Sequence, residues 1–148
     1  MPFETKLALF AAVVLLSVFA GFIWKTRTGR ANLVKSGELV DLSKLEATKN
    51  GAKVSKYGRK VTFVQFSTEV CSQCRQTARL LGEVEARHKD VLHVEVDVTN
   101  RLDLAAHFKV LQTPTTLVLD STGRVKSRIG GAPKPNVIAH ELEKLEVI

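Results

Sequence analysis

The chain is poor in cysteine: it has only Cys71 and Cys74, three positions apart. One pair cannot build the framework of a small disulfide-stapled secreted domain, which usually needs four or more, so the fold must rest on an apolar core. No glycine-rich phosphate loop is present, and none of the organic cofactors is implied. Internal repeats and low-complexity tracts are also missing, which excludes repeat architectures. Acidic residues are in deficit, 15 against 22 Lys and Arg, for a formal charge of +7. These basic residues are scattered and lack interleaved aromatics, so no nucleic acid is expected as a partner. An anionic membrane surface or acidic proteins suit the charge better.

At 148 residues the chain fits one domain plus an appendage. What organises it is the stretch from Phe66 to Arg75. Val61-Thr62-Phe63-Val64-Gln65-Phe66 has the β-branched and aromatic content of a buried strand. Gln76 to Arg87 places Ala78, Leu81 and Val84 at helical spacing. Both cysteines therefore sit where a strand hands over to a helix. Unpaired N–H groups and the positive end of the helix dipole stabilise a thiolate there, and Cys71 is the expected beneficiary. A thiolate attacks disulfides, and a second thiol three residues on can close an intramolecular disulfide and release the product. Cys71 is thus the expected nucleophile and Cys74 the resolving thiol; half of a metal site is the competing reading of the same pair.

Leu7 to Trp24 is a run of eighteen residues without charge, about 27 Å long as a helix against a bilayer core of roughly 30 Å. Trp24 suits the interface, and Lys25, Arg27, Arg30 and Lys35 follow it, against only Glu4 and Lys6 with the terminal amine ahead of it. The excess of positive charge after the run predicts a single-pass anchor with the following domain in the cytoplasm. The alternative is a signal peptide cut before Gly21, which would leave the domain extracytoplasmic or secreted. Residues 1–25 are read as the transmembrane anchor with its short tail, 26–37 as a polar tether and 38–148 as the folded domain.

Within that domain, Glu38-Leu39-Val40 reads as a small strand, and Asp41 or Ser43 as the cap of a short helix over Lys44 to Thr48. Asn50-Gly51 and Tyr57-Gly58 mark turns around a lysine-rich loop. Val91 to Asp97 alternates as a strand, and Leu102 to Phe108 reads as a helix. Thr115 to Asp120 and Val125 to Ile129 form a hairpin around Ser121-Thr122-Gly123. Lys134 to Leu145 closes the chain as an amphipathic helix. The order β-α-β-α-β-β-α implies an α/β fold, a mixed sheet with helices on both faces.

Three separated pieces then come together: a strand running into Cys71-Ser72-Gln73-Cys74, the loop Thr113-Pro114-Thr115, and Gly130-Gly131-Ala132 before the last helix. In this order they resemble the thioredoxin superfamily over roughly Leu39 to Leu145. The resemblance implies a thioredoxin-like mixed sheet flanked by helices. It also implies thiol–disulfide exchange through a redox disulfide Cys71–Cys74, with Pro114 in a cis-proline loop beside it. Protein disulfides would be the substrates, with a further protein as electron donor or acceptor, and Thr113, Pro114 and Val70 would contact the substrate. No metal and no cofactor is implied.

Several positions depart from ordinary thioredoxin. Val70 stands where tryptophan is usual, and Ser72-Gln73 replaces Gly-Pro between the cysteines. The family's buried acid falls on Gln65, its lysine neighbour on His93 and its helix-bending proline on Arg79. Gln65 cannot accept a proton and an imidazole can, so His93 is a candidate for proton transfer with Cys74. Two other functions compete with exchange: a tethered adaptor whose dithiol only senses redox state, and a zinc module. Cys71, Cys74, His88 and His93 have zinc-finger spacing, but the cysteines open a helix and His93 falls in a strand, unlike such a finger.

Overall fold

The computed structural model describes residues 2–34 and 37–148. Lys35, part of the charge bias above, and residues 35–36 of the expected tether lie outside the described residues. The first helix, α1 (Phe3–Arg27), has no buried residue. None of its apolar run is buried in the fold. Its length and composition suit a membrane crossing, and equally a signal sequence near the N-terminus.

Behind α1 the described residues form one mixed sheet. Its strands are β1 (Ala31–Leu33), β2 (Thr48–Lys49), β3 (Ala52–Lys53), β4 (Val61–Ser67), β5 (Val91–Asp97), β6 (Thr115–Asp120) and β7 (Val125–Gly130). The order across the sheet is β1-β7-β6-β4-β5-β2-β3. Strands β4 and β5 run parallel. The pairs β4–β6, β6–β7 and β1–β7 are antiparallel, as is the β2–β3 edge hairpin on β5. A crossover helix, α2 (Ser72–Arg87), joins the two parallel strands, as parallel pairing requires. The other helices are α3 (Leu102–His107) and α4 (Pro135–Lys144).

Alternation along β4 divides the core into two layers. Val64 and Phe66 face a cluster with Leu42, Val94, Val96 and Phe108, where the Phe66 and Phe108 rings lie 5.3 Å apart. Val61 and Phe63 face the other way, against Leu81 of α2 and Ile138 and Leu142 of α4. Gln65 and, on β5, His93 and Glu95 share the parity of this second layer, so they point to the side covered by α2. Parity and register together put three polar side chains behind the cysteine helix.

Two local expectations change. Glu38 to Val40 is not a strand; Leu39 makes a single bridge to Arg124. The edge strand comes earlier, at Ala31–Leu33, inside the segment expected to be a tether, where it pairs with Ile129 to Ser127 of β7. Gly29 makes this possible. Its φ of +77° turns the chain sharply after α1, and its N–H donates to the Gly130 carbonyl at 2.7 Å. The short helix over Lys44 to Thr48 is a turn instead. Asp41 Oδ1 accepts from the Ser43 N–H at 3.0 Å as a cap would, but Glu46 adopts a positive φ of 52° and ends the turn. Thr48 is then drawn to the edge of β5, opposite Glu95.

Candidate active site

Cys71 is the N-cap of α2, in extended backbone conformation, and its Sγ accepts from the Cys74 N–H at 3.1 Å. This is the position where a side chain satisfies one of the helix's orphan donors, so a Cys71 thiolate would be met by an N–H and the positive end of the dipole. Cys71 and Cys74 are joined in a disulfide, with Cα atoms 5.2 Å apart. Cys71 is partly exposed, whereas Cys74 is 3% exposed. That difference follows from helical geometry: three residues into α2 the side chain has turned towards the sheet.

The Thr113–Pro114 peptide is cis. Hydrogen bonds on both sides brace this loop: Thr115 Oγ1 donates to the Gln112 carbonyl at 2.7 Å, and the Gly131 N–H donates to the Pro114 carbonyl at 2.7 Å. The Thr113 hydroxyl lies 3.4 Å from that of Thr68, in the loop before the cysteines. Pro114 is itself buried and Thr113 half-buried. Val70 and Leu111 stand out from the surface at 97% and 94% exposure, one in each loop. Leu111 is a residue that the sequence pattern does not single out, because an apolar residue before a turn reads as core.

Beneath the disulfide the layer is polar. Gln65, fully buried on β4, donates from Nε2 to the Cys74 carbonyl at 2.9 Å. Its Oε1 lies 3.1 Å from His93 Nε2. Because the Gln65 amide nitrogen is engaged with Cys74, the oxygen accepts from His93, which fixes the imidazole as the Nε2–H tautomer. Burial pushes the His93 pKa down to about 4, opposed by the Glu85 carboxylate and assisted by Lys49. His93 is therefore neutral at pH 7, and it touches Cys74 only by way of Gln65. The hydroxyls of Thr77 and Thr116 are buried close to this layer, without a hydrogen-bond partner among the described residues.

A cleft of about 310 Å³ opens beside the disulfide, lined by both cysteines, Glu69, Arg75, Arg79 and Glu95 among others. Arg79 occupies the site that in the resemblance belongs to a helix-bending proline, and it puts a second guanidinium beside Arg75. Glu95 is the residue that motif reading passes over, although the alternation of β5 carries the signal for it.

The zinc-finger spacing does not form a site. Cys71 caps the start of α2 and His88 its end. Sixteen residues of helix separate them, about 24 Å.

Comparison with known proteins agrees with this geometry. The chain matches the family profile described as Thioredoxin over residues 41–144. It is 28% identical over 116 residues to thioredoxin H3 of Arabidopsis thaliana, covering 78% of this chain and 97% of that protein. Against thioredoxin H2 of the same plant the identity is 35% over 89 residues, covering 60% and 62%. The crystal structure of thioredoxin NaTrxh from Nicotiana alata superposes with a TM-score of 0.50 at 29% identity, covering 59% of this chain and 74% of that one. With a matching profile over most of its length and two cysteines at disulfide distance at a helix start, the chain belongs to the thioredoxin family and is a thiol–disulfide oxidoreductase.

Proposed function

We propose that this oxidoreductase is tethered to a membrane by residues 1–25 and exchanges disulfides in other proteins, with Cys71 as nucleophile and Cys74 as resolving thiol. The observation that carries the reading is the unequal exposure of the two sulfurs at the start of α2: Cys71 is open to a partner and Cys74 is held behind it. The Cys71 thiolate attacks a substrate disulfide, forming a mixed disulfide and expelling one substrate thiolate. Cys74 then attacks Cys71 Sγ, the internal disulfide closes, and the second substrate thiolate leaves. The substrate gains two electrons and the enzyme loses two; a donor protein restores the dithiol. The same steps in reverse oxidise a substrate dithiol.

Val70, Thr113 and Pro114 form the substrate-facing rim in this reading. Thr113 offers backbone from a loop that no ladder uses, while the buried Pro114 holds that loop in place. His93 acts through Gln65 on the seat of Cys74.

Turnover of a protein disulfide by the full chain in detergent micelles, coupled to a dithiol donor, tests the reading. Repeated turnover supports it, whereas a single stoichiometric reaction per chain would favour a tethered redox sensor. The charge bias after α1 favours a cytoplasmic domain. An introduced cysteine in the Lys53 to Lys60 loop, with Cys71 and Cys74 replaced by serine, reads the side directly. Protection from an impermeant thiol reagent in intact cells is the expected result.

A further inference from the structure

The resolving step needs Cys74 as a thiolate, yet Cys74 is 3% exposed. A free cysteine thiol has a pKa of about 8.5, and burial among apolar groups raises it. The two groups nearest in hydrogen-bond terms do not help. Gln65 has no basic site, and His93 presents its N–H to Gln65.

Glu95 is placed differently. It neighbours Gln65 in the parallel register of β4 and β5, on the face covered by α2. It lines the cleft that both cysteines share. It also lines a second cleft of about 220 Å³, with Thr48, Lys49, Asn50, Gly82, Glu85 and His93. One carboxyl thus borders both the sulfur side and a separate opening to solvent, and clefts of these sizes have room for water. No side-chain partner holds the carboxyl among the described residues. Glu69 also lines the sulfur cleft but is exposed in a loop, whereas Glu95 is half-buried.

We propose that Glu95 is the proton acceptor for Cys74, standing on β5 in place of an acid on β4, with the second cleft as the proton's route to solvent. This rests on the dithiol reading above. In the mixed disulfide, Cys74 Sγ–H gives its proton across the cleft to the Glu95 carboxylate. The Cys74 thiolate forms the bond to Cys71 Sγ, and the Cys71–substrate S–S bond breaks with its electron pair leaving on the substrate sulfur. Glu95 then releases the proton through the second cleft, or to the departing thiolate. When a donor dithiol reduces the pair, the protonated carboxyl returns a proton to Cys74.

Burial raises the Glu95 carboxyl above its ordinary value, which brings it closer to a thiol's range, as proton exchange at neutral pH favours. The charged and titratable groups facing it are Arg75, Arg79 and Glu85 from α2, Lys49 from β2, His93 from its own strand and Glu69 from the loop before Cys71.

The test uses the full chain in micelles and single-turnover mixing with a protein disulfide, following formation and decay of the mixed disulfide from pH 5 to 9. Glu95→Gln should leave formation unchanged and slow decay at pH 7 by about 100-fold, the low end for loss of a general base. Its decay rate should climb with pH without the wild-type plateau, and Glu95→Asp should restore part of the rate. An E95Q profile that superimposes on wild type overturns the proposal. So does a pH-independent slowing that Asp fails to rescue, because that marks a structural role. Failure of the wild type to form a mixed disulfide would instead refute the dithiol reading itself.

Discussion

Gln65 donates its side-chain amide to the Cys74 carbonyl at 2.9 Å, so the seat of the resolving cysteine is held by a residue nine positions earlier in the chain. Gln65→Leu removes that bond and leaves the His93 N–H buried without a partner, while the Cys74 carbonyl keeps its place in the ladder of α2. A loss of about 1–3 kcal/mol is expected, the cost of one orphaned buried group. Urea unfolding of the oxidised protein measures it, and a change under about 0.5 kcal/mol would show that the bond contributes little.

His93 gives stability a definite pH dependence. Its pKa is about 4 when folded and near the ordinary 6.5 when unfolded. Between those values the unfolded chain binds the extra proton, so stability rises with pH through that window. The contribution is complete above about pH 6.5, is lost as pH falls towards 4, and changes no further below that. The difference corresponds to something on the order of 3 kcal/mol. Denaturation midpoints from pH 4 to 7 should fall on the acid side in the wild type, and His93→Gln should flatten that slope.

The two cysteines should fail in different ways. Cys71→Ser should abolish exchange, with no covalent adduct to a protein disulfide. Cys74→Ser should accumulate one long-lived mixed disulfide per chain, visible as a mass increase in the intact protein. Trapping by Cys71→Ser and not by Cys74→Ser would reverse the roles assigned to them.

Gly29 is held at a φ of +77°, and a Cβ there would collide with the Ala132 carbonyl oxygen. Gly29→Val should therefore detach Ala31–Leu33 from β7 while leaving the two core layers intact. Amide hydrogen exchange at Asn32 and Val34, whose N–H groups face β7, should quicken by at least tenfold. Exchange in β4 should stay slow.

Much of this was legible in the chain. The apolar run of β4, the alternation of β5 and the hairpin around Gly123 place the sheet, because each strand's burial is written into its residue pattern. The dithiol and the Thr113-Pro114 loop were legible as motifs. The β1 strand was not, because Ala31-Asn32-Leu33 has no alternating pattern long enough to read, and it forms only because Gly29 turns the chain onto the free edge of β7. The turn at Asp41 looks like a helix start in sequence for a related reason: its cap is real, but the positive φ at Glu46 leaves no trace in propensity. Glu95 was hidden by a different effect. The alternation of β5 gives its face, but its place beside Gln65 depends on the register between two strands 30 residues apart, which local sequence does not fix.

With α1 held in a bilayer, as proposed above, the Gly29–Gly130 bond would also set how far this enzyme reaches. Between the last residue of α1 and the first of β1 there are three residues, and one of them is fastened to the turn that in turn holds Pro114. Such a connection is a bracket and not a leash. With α1 in a bilayer, the sulfur pair would ride at one height and one tilt above the lipid. It would meet disulfides presented in that thin shell at high effective concentration and pass over those beyond it. A freely swinging thioredoxin chooses partners by fit alone; one mounted like this would choose also by altitude.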